Sequence, residues 1–195
     1  MSLGGTVSGL AATKTYSGIE NLTLSSASNK VAHNAIGSEL ANRLTGNAAG
    51  NQLHGLDGSD TLLGLGGNDV LSGGTGNDTL TGGGGGDAFV FDTALSAASN
   101  IDTLTDFAPG SDTLRLDASV LAAFSAGVPV SGAQLLAAAG ATSAQDADDR
   151  LIYNTTSGAL YYDADGTGAG AAVQFAQLGT STHPVLSASD FVVIA

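Results

Sequence analysis

The chain has 195 residues, with 18 Asp and Glu against 5 Lys and Arg, a formal net charge of −13, and no Cys. So few cations exclude the phosphate contacts that nucleic-acid binding needs, and they disfavour an anionic membrane surface. The lack of Cys excludes disulfides, thiolate zinc sites and thiol nucleophiles, and no apolar stretch reaches the 18 residues of a membrane span.

The N-terminal part of the chain is expected to lead into a repetitive region. Its first five residues lack the basic and apolar regions of a secretory signal, so the chain is expected to be a fragment, the C-terminal portion of something longer. The first predicted strand lies at residues 21–25, where polar and apolar residues alternate as in a strand with one buried face. Residues 1–36 are therefore expected to form N-terminal strands with degenerate repeats.

Four nine-residue blocks follow one another from residue 55 onward without a slip. Each block has Gly at its first and fourth positions, Asp at its sixth and a large apolar residue at its eighth. The sixth-position residues are Asp60, Asp69, Asp78 and Asp87, and the eighth-position residues are Leu62, Leu71, Leu80 and Phe89. Upstream, Asn51 and Asn42 hold the sixth position in register, and Asn34 with Ile36 fits after a contraction of one residue.

This repeat predicts a flattened solenoid in which two blocks, or 18 residues, complete one coil with Gly-rich turns. Acids that are 18 residues apart then lie on the same edge in adjacent coils, about 4.8 Å apart, and repel one another. A cation between them converts the repulsion into an attraction. Carboxylate and carbonyl oxygens suit Ca²⁺ rather than zinc or copper, so calcium is expected to be structural and coupled to folding.

Downstream of Val90 the period stops. Residues 102–107 and 112–117 flank Pro109-Gly110 and are predicted to form the two strands of a hairpin. Residues 131–147 are Ala-rich and are predicted to form a helix. Short strands are predicted at residues 150–153, 159–163, 171–178 and 191–194. Residues 93–195 are thus expected to form a β-rich cap with one short helix.

The tandem GGxGxDxUx nonapeptide, in which U is a large apolar residue, resembles the RTX (hemolysin-type) calcium-binding repeat of secreted bacterial proteins. The resemblance implies an all-β fold, a right-handed parallel β-roll over residues 37–92. The segment from Asp102 to Leu114 is similar to the one that follows the roll in serralysin-type metalloprotease C-terminal domains. That similarity implies that Asp102 and Asp112 help to complete the last calcium sites. The stretch that runs from residues 150–153 through residues 161–166 and ends near Asp190 and Phe191 resembles the closing region of many RTX proteins.

Several calcium ions per chain are expected, held by turn carboxylates and turn carbonyls. The principal ligands are the carboxylates of Asp60, Asp69, Asp78 and Asp87. The carbonyl ligands come from the first and third positions of the blocks, namely Gly55, Gly64, Gly73 and Gly82, and Asp57, Gly66, Thr75 and Gly84. Asn42 and Asn51 depart from the family pattern and leave open whether their turns bind calcium.

The resemblance also implies a route out of the cell. RTX proteins leave through a type I (ABC) exporter that reads an uncleaved C-terminal signal, and residues 190–195, an acid followed by apolar residues, are similar to such signals. Scarce cytosolic calcium would leave the acidic coils unfolded, and extracellular modules bind calcium with Kd of roughly 10⁻⁴ to 10⁻³ M. The protein is therefore expected to be secreted and to fold outside the cell.

Two other functions compete with this folding and export module. The first is a calcium-rigidified module that contacts polysaccharide or neighbouring copies, as in adhesins, surface-layer proteins or epimerase accessory modules. The residues that would supply an aromatic surface for it are Tyr16, Tyr153, Tyr161 and Tyr162. The second is an enzyme, for which no catalytic motif is present, since His33, His54 and His183 lack metal-ligand spacing.

Residues 163–166 look like the start of an EF-hand loop. The twelfth position of that loop is Gln174 rather than the bidentate Glu that calcium needs, so a hairpin turn is favoured there.

Overall fold

The structure, a computed structural model, describes residues 4–7, 15–24 and 31–195. Within these residues the chain forms two sheets and two short 3-10 helices, at Gly132–Gln134 and Ala188–Asp190. The strands up to the end of the repeats are β1 (Gly4–Val7), β2 (Thr15–Tyr16), β3 (Asn21–Leu24), β4 (Asn34–Ile36), β5 (Arg43–Thr45), β6 (Gln52–Asp57), β7 (Thr61–Gly66), β8 (Val70–Thr75), β9 (Thr79–Gly84) and β10 (Ala88–Phe91). The later strands are β11 (Asp102–Leu104), β12 (Thr113–Asp117), β13 (Leu135–Ala138), β14 (Leu151–Asn154), β15 (Ala159–Tyr162), β16 (Val173–Leu178) and β17 (Phe191–Ile194).

From β1 to β12 successive strands alternate between the two sheets, which is the arrangement of a parallel β-roll. The first sheet has the order β1-β3-β5-β7-β9-β11-β16-β15-β14-β13, and the second has the order β17-β12-β10-β8-β6-β4-β2. Within the repeats each strand pairs in parallel with the strand two positions on, for example Leu62 with Leu80 and Leu53 with Leu71. The predicted coil of 18 residues and the predicted all-β roll are therefore confirmed.

The eighth-position residues stack in two columns that face each other across the core. In the first sheet the column is Leu22, Leu44, Leu62, Leu80, Leu104 and Leu178. In the second sheet it is Ala35, Leu53, Leu71, Phe89, Leu114 and Phe191. Every one of these side chains is buried. A fully buried Leu contributes about 1.5–3 kcal/mol, so the columns supply the apolar driving force of each coil.

The pairing of β4 with β6 keeps the 18-residue period, so the predicted one-residue contraction is wrong. Ala35 pairs with Leu53 and is fully buried, whereas Ile36 pairs with His54 and is only partly buried. His33, not Asn34, therefore occupies the sixth position beside Asn51. The larger apolar side chain of Ile36 misled the alignment, because a small Ala fills the core position here.

The predicted hairpin over residues 102–117 is also wrong. β11 joins the first sheet between β9 and β16, and β12 joins the second sheet between β10 and β17, all in parallel. The turn at Pro109-Gly110 thus carries the chain from one sheet to the other, as every turn of the roll does. The roll continues for one coil beyond the last periodic block.

The predicted helix over residues 131–147 is not formed. After a single 3-10 turn, Leu135–Ala138 becomes strand β13 and pairs in parallel with β14, Leu135 beside Leu151. An Ala-rich segment of this length is only marginally helical by itself, so pairing with a sheet edge overrides its propensity. A turn at Gly140, whose φ is 73°, then ends the strand.

The predicted C-terminal strands are confirmed as β14, β15, β16 and β17. β14, β15 and β16 form an antiparallel meander, whose last strand pairs in parallel with β11. β17 pairs in parallel with β12 and forms an edge of the second sheet. The end of the chain is thereby built into both sheets. None of the described residues lies in a helix long and apolar enough to cross a membrane.

Candidate calcium-binding edges

The sixth-position residues form one column along each edge of the roll, at or just before the start of a strand. Here each such residue is called a rung. The strand register places Glu20, Asn42, Asp60, Asp78 and Asp102 along the first edge. It places His33, Asn51, Asp69, Asp87 and Asp112 along the second edge. The predicted pairing of acids 18 residues apart is confirmed on both edges.

Backbone amides link the rungs of the first edge into a ladder. The N–H of Asn42 donates to Oδ1 of Asp60 at 2.6 Å, that of Asp60 donates to Oδ1 of Asp78 at 2.7 Å, and that of Asp78 donates to Oδ1 of Asp102 at 3.2 Å. Each carboxylate is therefore held against the preceding coil by one of its two oxygens.

The second edge has the same ladder. The N–H of Asn51 donates to Oδ1 of Asp69 at 2.7 Å, that of Asp69 to Oδ1 of Asp87 at 2.8 Å, and that of Asp87 to Oδ1 of Asp112 at 2.9 Å. Because the same contact recurs on both edges, it belongs to the repeat and not to any one coil.

The second carboxylate oxygen of each repeat aspartate has no protein partner. Oδ2 is buried and accepts no hydrogen bond in Asp60, Asp69, Asp78 and Asp87. A buried, unpaired carboxylate oxygen is costly, so each of these four atoms needs a cation or a proton.

The first-position glycines make room for these oxygens. A Cβ atom at Gly55 would collide with Oδ2 of Asp60 and with the carbonyl oxygen of Gly73 in the next coil. A Cβ at Gly64 would collide in the same way with Oδ2 of Asp69 and the carbonyl oxygen of Gly82. Each glycine therefore brings a carboxylate oxygen and a carbonyl oxygen of two adjacent coils to the same point.

Burial raises the pKa of the acidic rungs in the metal-free protein. Desolvation is the main cause for Asp60, whose pKa rises from 3.8 to about 6, and for Asp69, whose pKa rises to about 7. Repulsion from the next acid on the same edge, Asp78 or Asp87, raises both pKa values further. Desolvation also raises the pKa of Asp78 and Asp87. The geometry therefore disfavours four bare negative charges.

The oxygens at these edges fit Ca²⁺. Carboxylate and carbonyl oxygens are the ligands that this hard cation takes in six- to eightfold coordination. No group of three or more His, Asp or Glu side chains converges on one point among the described residues. A bound ion would therefore complete its coordination with backbone carbonyls, which the glycine-rich turns supply.

The third-position residues lie at the outer rim of the turns. The carbonyl oxygens of Thr75 and Gly84 accept the N–H of Gly58 and Gly67, each at 2.9 Å, and retain a second lone pair. The Asp57 side chain is exposed and accepts the Thr75 hydroxyl, as expected for a solvated carboxylate.

Asp102 and Asp112 lie on the two ladders, as the resemblance implied, but their surroundings differ. Asp102 is buried beside Asp78, and desolvation with repulsion from Asp78 raises its pKa to about 8. Both oxygens of Asp112 already accept backbone N–H groups, Oδ1 from Asp87 at 2.9 Å and Oδ2 from Ala108 at 2.8 Å. Their role as calcium ligands stays a prediction.

Two rungs were missed from the sequence. Glu20 and His33 occupy the sixth position of the coil that precedes Asn42 and Asn51, where the sequence no longer shows the repeat pattern. Only the exact 18-residue offset from Asn51 could have revealed His33. Oε2 of Glu20 and both ring nitrogens of His33 are buried without a hydrogen-bond partner among the described residues.

The EF-hand-like segment and two of the four tyrosines do not form a second binding site. Residues 163–172 connect the antiparallel strands β15 and β16, so the hairpin turn predicted at residues 163–166 is confirmed. Tyr153 and Tyr162 are buried and cannot contribute to an aromatic binding surface.

Stacked carboxylates over glycine turns define a calcium-binding solenoid of nonapeptide repeats. Residues 36–71 and 64–92 match the family model of the RTX calcium-binding nonapeptide repeat (4 copies). Residues 36–92 are therefore RTX calcium-binding nonapeptide repeats.

A solved structure with a similar chain is that of the AlgE6R3 subunit from the Azotobacter vinelandii mannuronan C5-epimerase, determined in solution. The two chains are 29% identical, the match covers 79% of this chain and 78% of that one, and the TM-score is 0.49. The curated proteins include no match to the chain.

Proposed function

We propose that this chain is the structural calcium-binding C-terminal region of a larger secreted bacterial protein, and that it supports calcium-triggered folding and type I export. The observation that carries the proposal is the set of four buried Oδ2 atoms without partners, in Asp60, Asp69, Asp78 and Asp87. Above neutral pH, a roll that buries these charges needs cations to neutralise them.

In the proposed sites each ion lies between adjacent coils. Its ligands are the carboxylates of these four aspartates and the carbonyls of Gly55, Gly64, Gly73 and Gly82, with further carbonyls from Asp57, Gly66, Thr75 and Gly84. Asp102 extends the first ladder and is proposed to complete its last site. Asp112 extends the second ladder, but the Ala108 N–H already caps its Oδ2, so its calcium role stays a prediction. Several ions per chain follow, because each edge has more than one acidic rung.

Repulsion between the same acidic residues also supports the proposed export. Without calcium, repulsion along both edges keeps the acidic coils open, so the chain can be threaded through an exporter. Residues 190–195 carry the proposed signal. In the folded chain Asp190 is buried and Phe191 and Val193 pack in the core, so an exporter would read them before folding.

Far-ultraviolet circular dichroism with calcium and with excess EGTA tests the folding proposal. We expect a β-rich spectrum in calcium and loss of most of that signal in EGTA, with recovery when calcium returns. Magnesium is the control, because it binds poorly to flexible all-protein oxygen sites. A chain that stays fully folded in excess EGTA would contradict the proposal.

A further inference from the structure

The two asparagine rungs make the contacts that the aspartate rungs lack. Oδ1 of Asn51 accepts the N–H of Asn47 at 2.8 Å, and Nδ2 of Asn51 donates to the carbonyl oxygen of His33 at 2.7 Å. Asn51 is 1% exposed, so these bonds are made in the interior. Its amide group thus ties its own turn to the preceding coil without an ion.

Asn42 satisfies its side chain within its own turn. Its Oδ1 accepts the N–H of Ser38 at 2.8 Å, and its Nδ2 donates to the Ser38 hydroxyl at 3.1 Å. Neither Asn42 nor Asn51 has a buried side-chain atom without a partner, whereas all four repeat aspartates have one.

The hydrogen-bond network determines the orientation of the Asn51 amide. A flipped amide would place Oδ1 against the His33 carbonyl oxygen and Nδ2 against the Asn47 N–H, two repulsive contacts in place of two hydrogen bonds. The donor therefore points at the neighbouring coil, and a cation there would face an N–H group.

The backbone conformation also distinguishes the asparagine turns from the aspartate turns. The second-position residue of each aspartate turn has a positive φ: 82° at Leu56, 80° at Leu65, 103° at Gly74 and 99° at Gly83. Ser38 and Asn47, the second-position residues of the asparagine turns, are not in this region. Their N–H groups reach the rung four residues later, and no such bond forms in the four aspartate turns.

Asp112 shows that this contact depends on the turn and not on the amide. Its Oδ2 accepts the N–H of Ala108, which is also four residues earlier and does not have a positive φ. A carboxylate in such a turn is therefore capped by the backbone and has no free inner oxygen.

We infer that Asn42 and Asn51 are calcium-independent rungs, whose amide groups take the place of the cation and make residues 31–54 a metal-free template for the acidic coils. The inference rests on the proposed function, because it needs the aspartate rungs to bind calcium. The asparagine turns do not fit a calcium ion. The Nδ2 donor replaces one carboxylate oxygen of an aspartate rung, and the N–H of the second-position residue already bonds the remaining side-chain oxygen.

A matched pair of variants on the second edge tests the inference in the full chain. Asn51→Ala and Asp69→Ala remove the side chains of neighbouring rungs, and equilibrium dialysis against ⁴⁵Ca²⁺ counts the ions bound. We expect an unchanged count for Asn51→Ala and a lower count for Asp69→Ala. A lower count for Asn51→Ala overturns the inference. An unchanged count for Asp69→Ala contradicts the proposed function instead.

Asn51→Asp provides a second test in case Asn51→Ala, which removes the side-chain amide, unfolds the turn. A merely degenerate site would gain an ion when the carboxylate is restored, and that gain overturns the inference. We expect no gain, because the Asn47 N–H would cap the new carboxylate as Ala108 caps Asp112.

Hydrogen exchange of the unsubstituted chain tests the template directly. In EGTA we expect the Asn47 amide to exchange at least about tenfold more slowly than the Asp69 amide, and in calcium we expect both to be protected. Equal exchange of the two amides in EGTA would refute a metal-free template.

Discussion

The effect of Asp69→Asn on the stability of the fold should have opposite signs in the calcium-free and the calcium-loaded protein. The amide has the same shape as the carboxylate, keeps Oδ1 for the Asn51 N–H, and turns the unpaired Oδ2 into a donor facing the Gly82 carbonyl. Without calcium the substitution removes a buried charge, and with calcium it removes a ligand.

The pKa of Asp69 indicates the size of the calcium-free effect. At about 1.4 kcal/mol for each pH unit between 3.8 and about 7, the buried charge costs at most about 4.5 kcal/mol. Water near the edge of the roll screens part of this, so we expect Asp69→Asn to stabilise the calcium-free fold by about 2 kcal/mol at pH 8.

The pH dependence follows from the direction of the shift. A carboxyl whose folded pKa lies above its unfolded value binds its proton more tightly in the folded chain, so calcium-free stability falls as the pH rises from about 4 to about 7. The advantage of Asp69→Asn should therefore be largest at pH 8 and vanish near pH 4.

The assay has two arms. In EGTA, folding is induced with trimethylamine N-oxide and followed by circular dichroism, and the variant should fold at a lower osmolyte concentration. In calcium, urea unfolding should show the variant less stable by about 1.4 kcal/mol for each tenfold loss of affinity. A variant that is destabilised in both arms would refute the reasoning, because Oδ2 would then have a protein partner.

Three further changes test the turns and the core, each by thermal unfolding in calcium. Gly64→Ala should destabilise the roll by at least about 2 kcal/mol and weaken calcium binding, because the new Cβ displaces Oδ2 of Asp69, whereas Gly84→Ala has open space and serves as its control. Leu65→Gly should raise stability by about 1 kcal/mol, because Leu65 is strained at a φ of 80°; no gain would mean that side-chain contacts offset the strain. Leu71→Ala should cost about 3 kcal/mol from the fully buried column, and a cost below about 1 kcal/mol would contradict the core assignment.

The sequence predicted the roll well where the period is strict. Leu62, Leu71 and Leu80 fall in the core columns, and the acids two positions before each of them fall on the edges. A two-block coil requires this arrangement, because an 18-residue repeat returns each residue to the same place one coil later. The prediction failed at Ile36, where the core residue is a small Ala one position earlier.

The coil beyond the repeats could not be read from the period. The bond from Asp78 to Asp102 spans 24 residues and that from Asp87 to Asp112 spans 25, instead of 18. The inserted residues hide the register, so two strands of opposite sheets looked like a hairpin. The helix prediction for residues 131–147 failed for another reason, since β13 is stabilised by a partner strand that only the tertiary fold supplies.

The asparagine turns show a further limit. Asn in place of Asp was visible in the sequence, but its consequence depends on the Asn47 N–H and on the His33 carbonyl of a preceding coil. The two kinds of turn differ in the sign of φ at the second position. The residue types there do not reveal it, because Leu56 and Leu65 have a positive φ and Asn47 does not.

The number of residues between paired strands determines the order in which the strands of the roll can pair. The acidic coils pair across 18 residues, so each can fold onto its predecessor once calcium neutralises its rung. The last coil is different, because Asp102 pairs with Ala176 and Leu114 with Phe191, 74 and 77 residues later. Closing such long loops is slow, and those bonds cannot form until the end of the chain is available. Folding should therefore proceed from residues 31–54 through the acidic coils, and the C-terminal strands should complete the roll last.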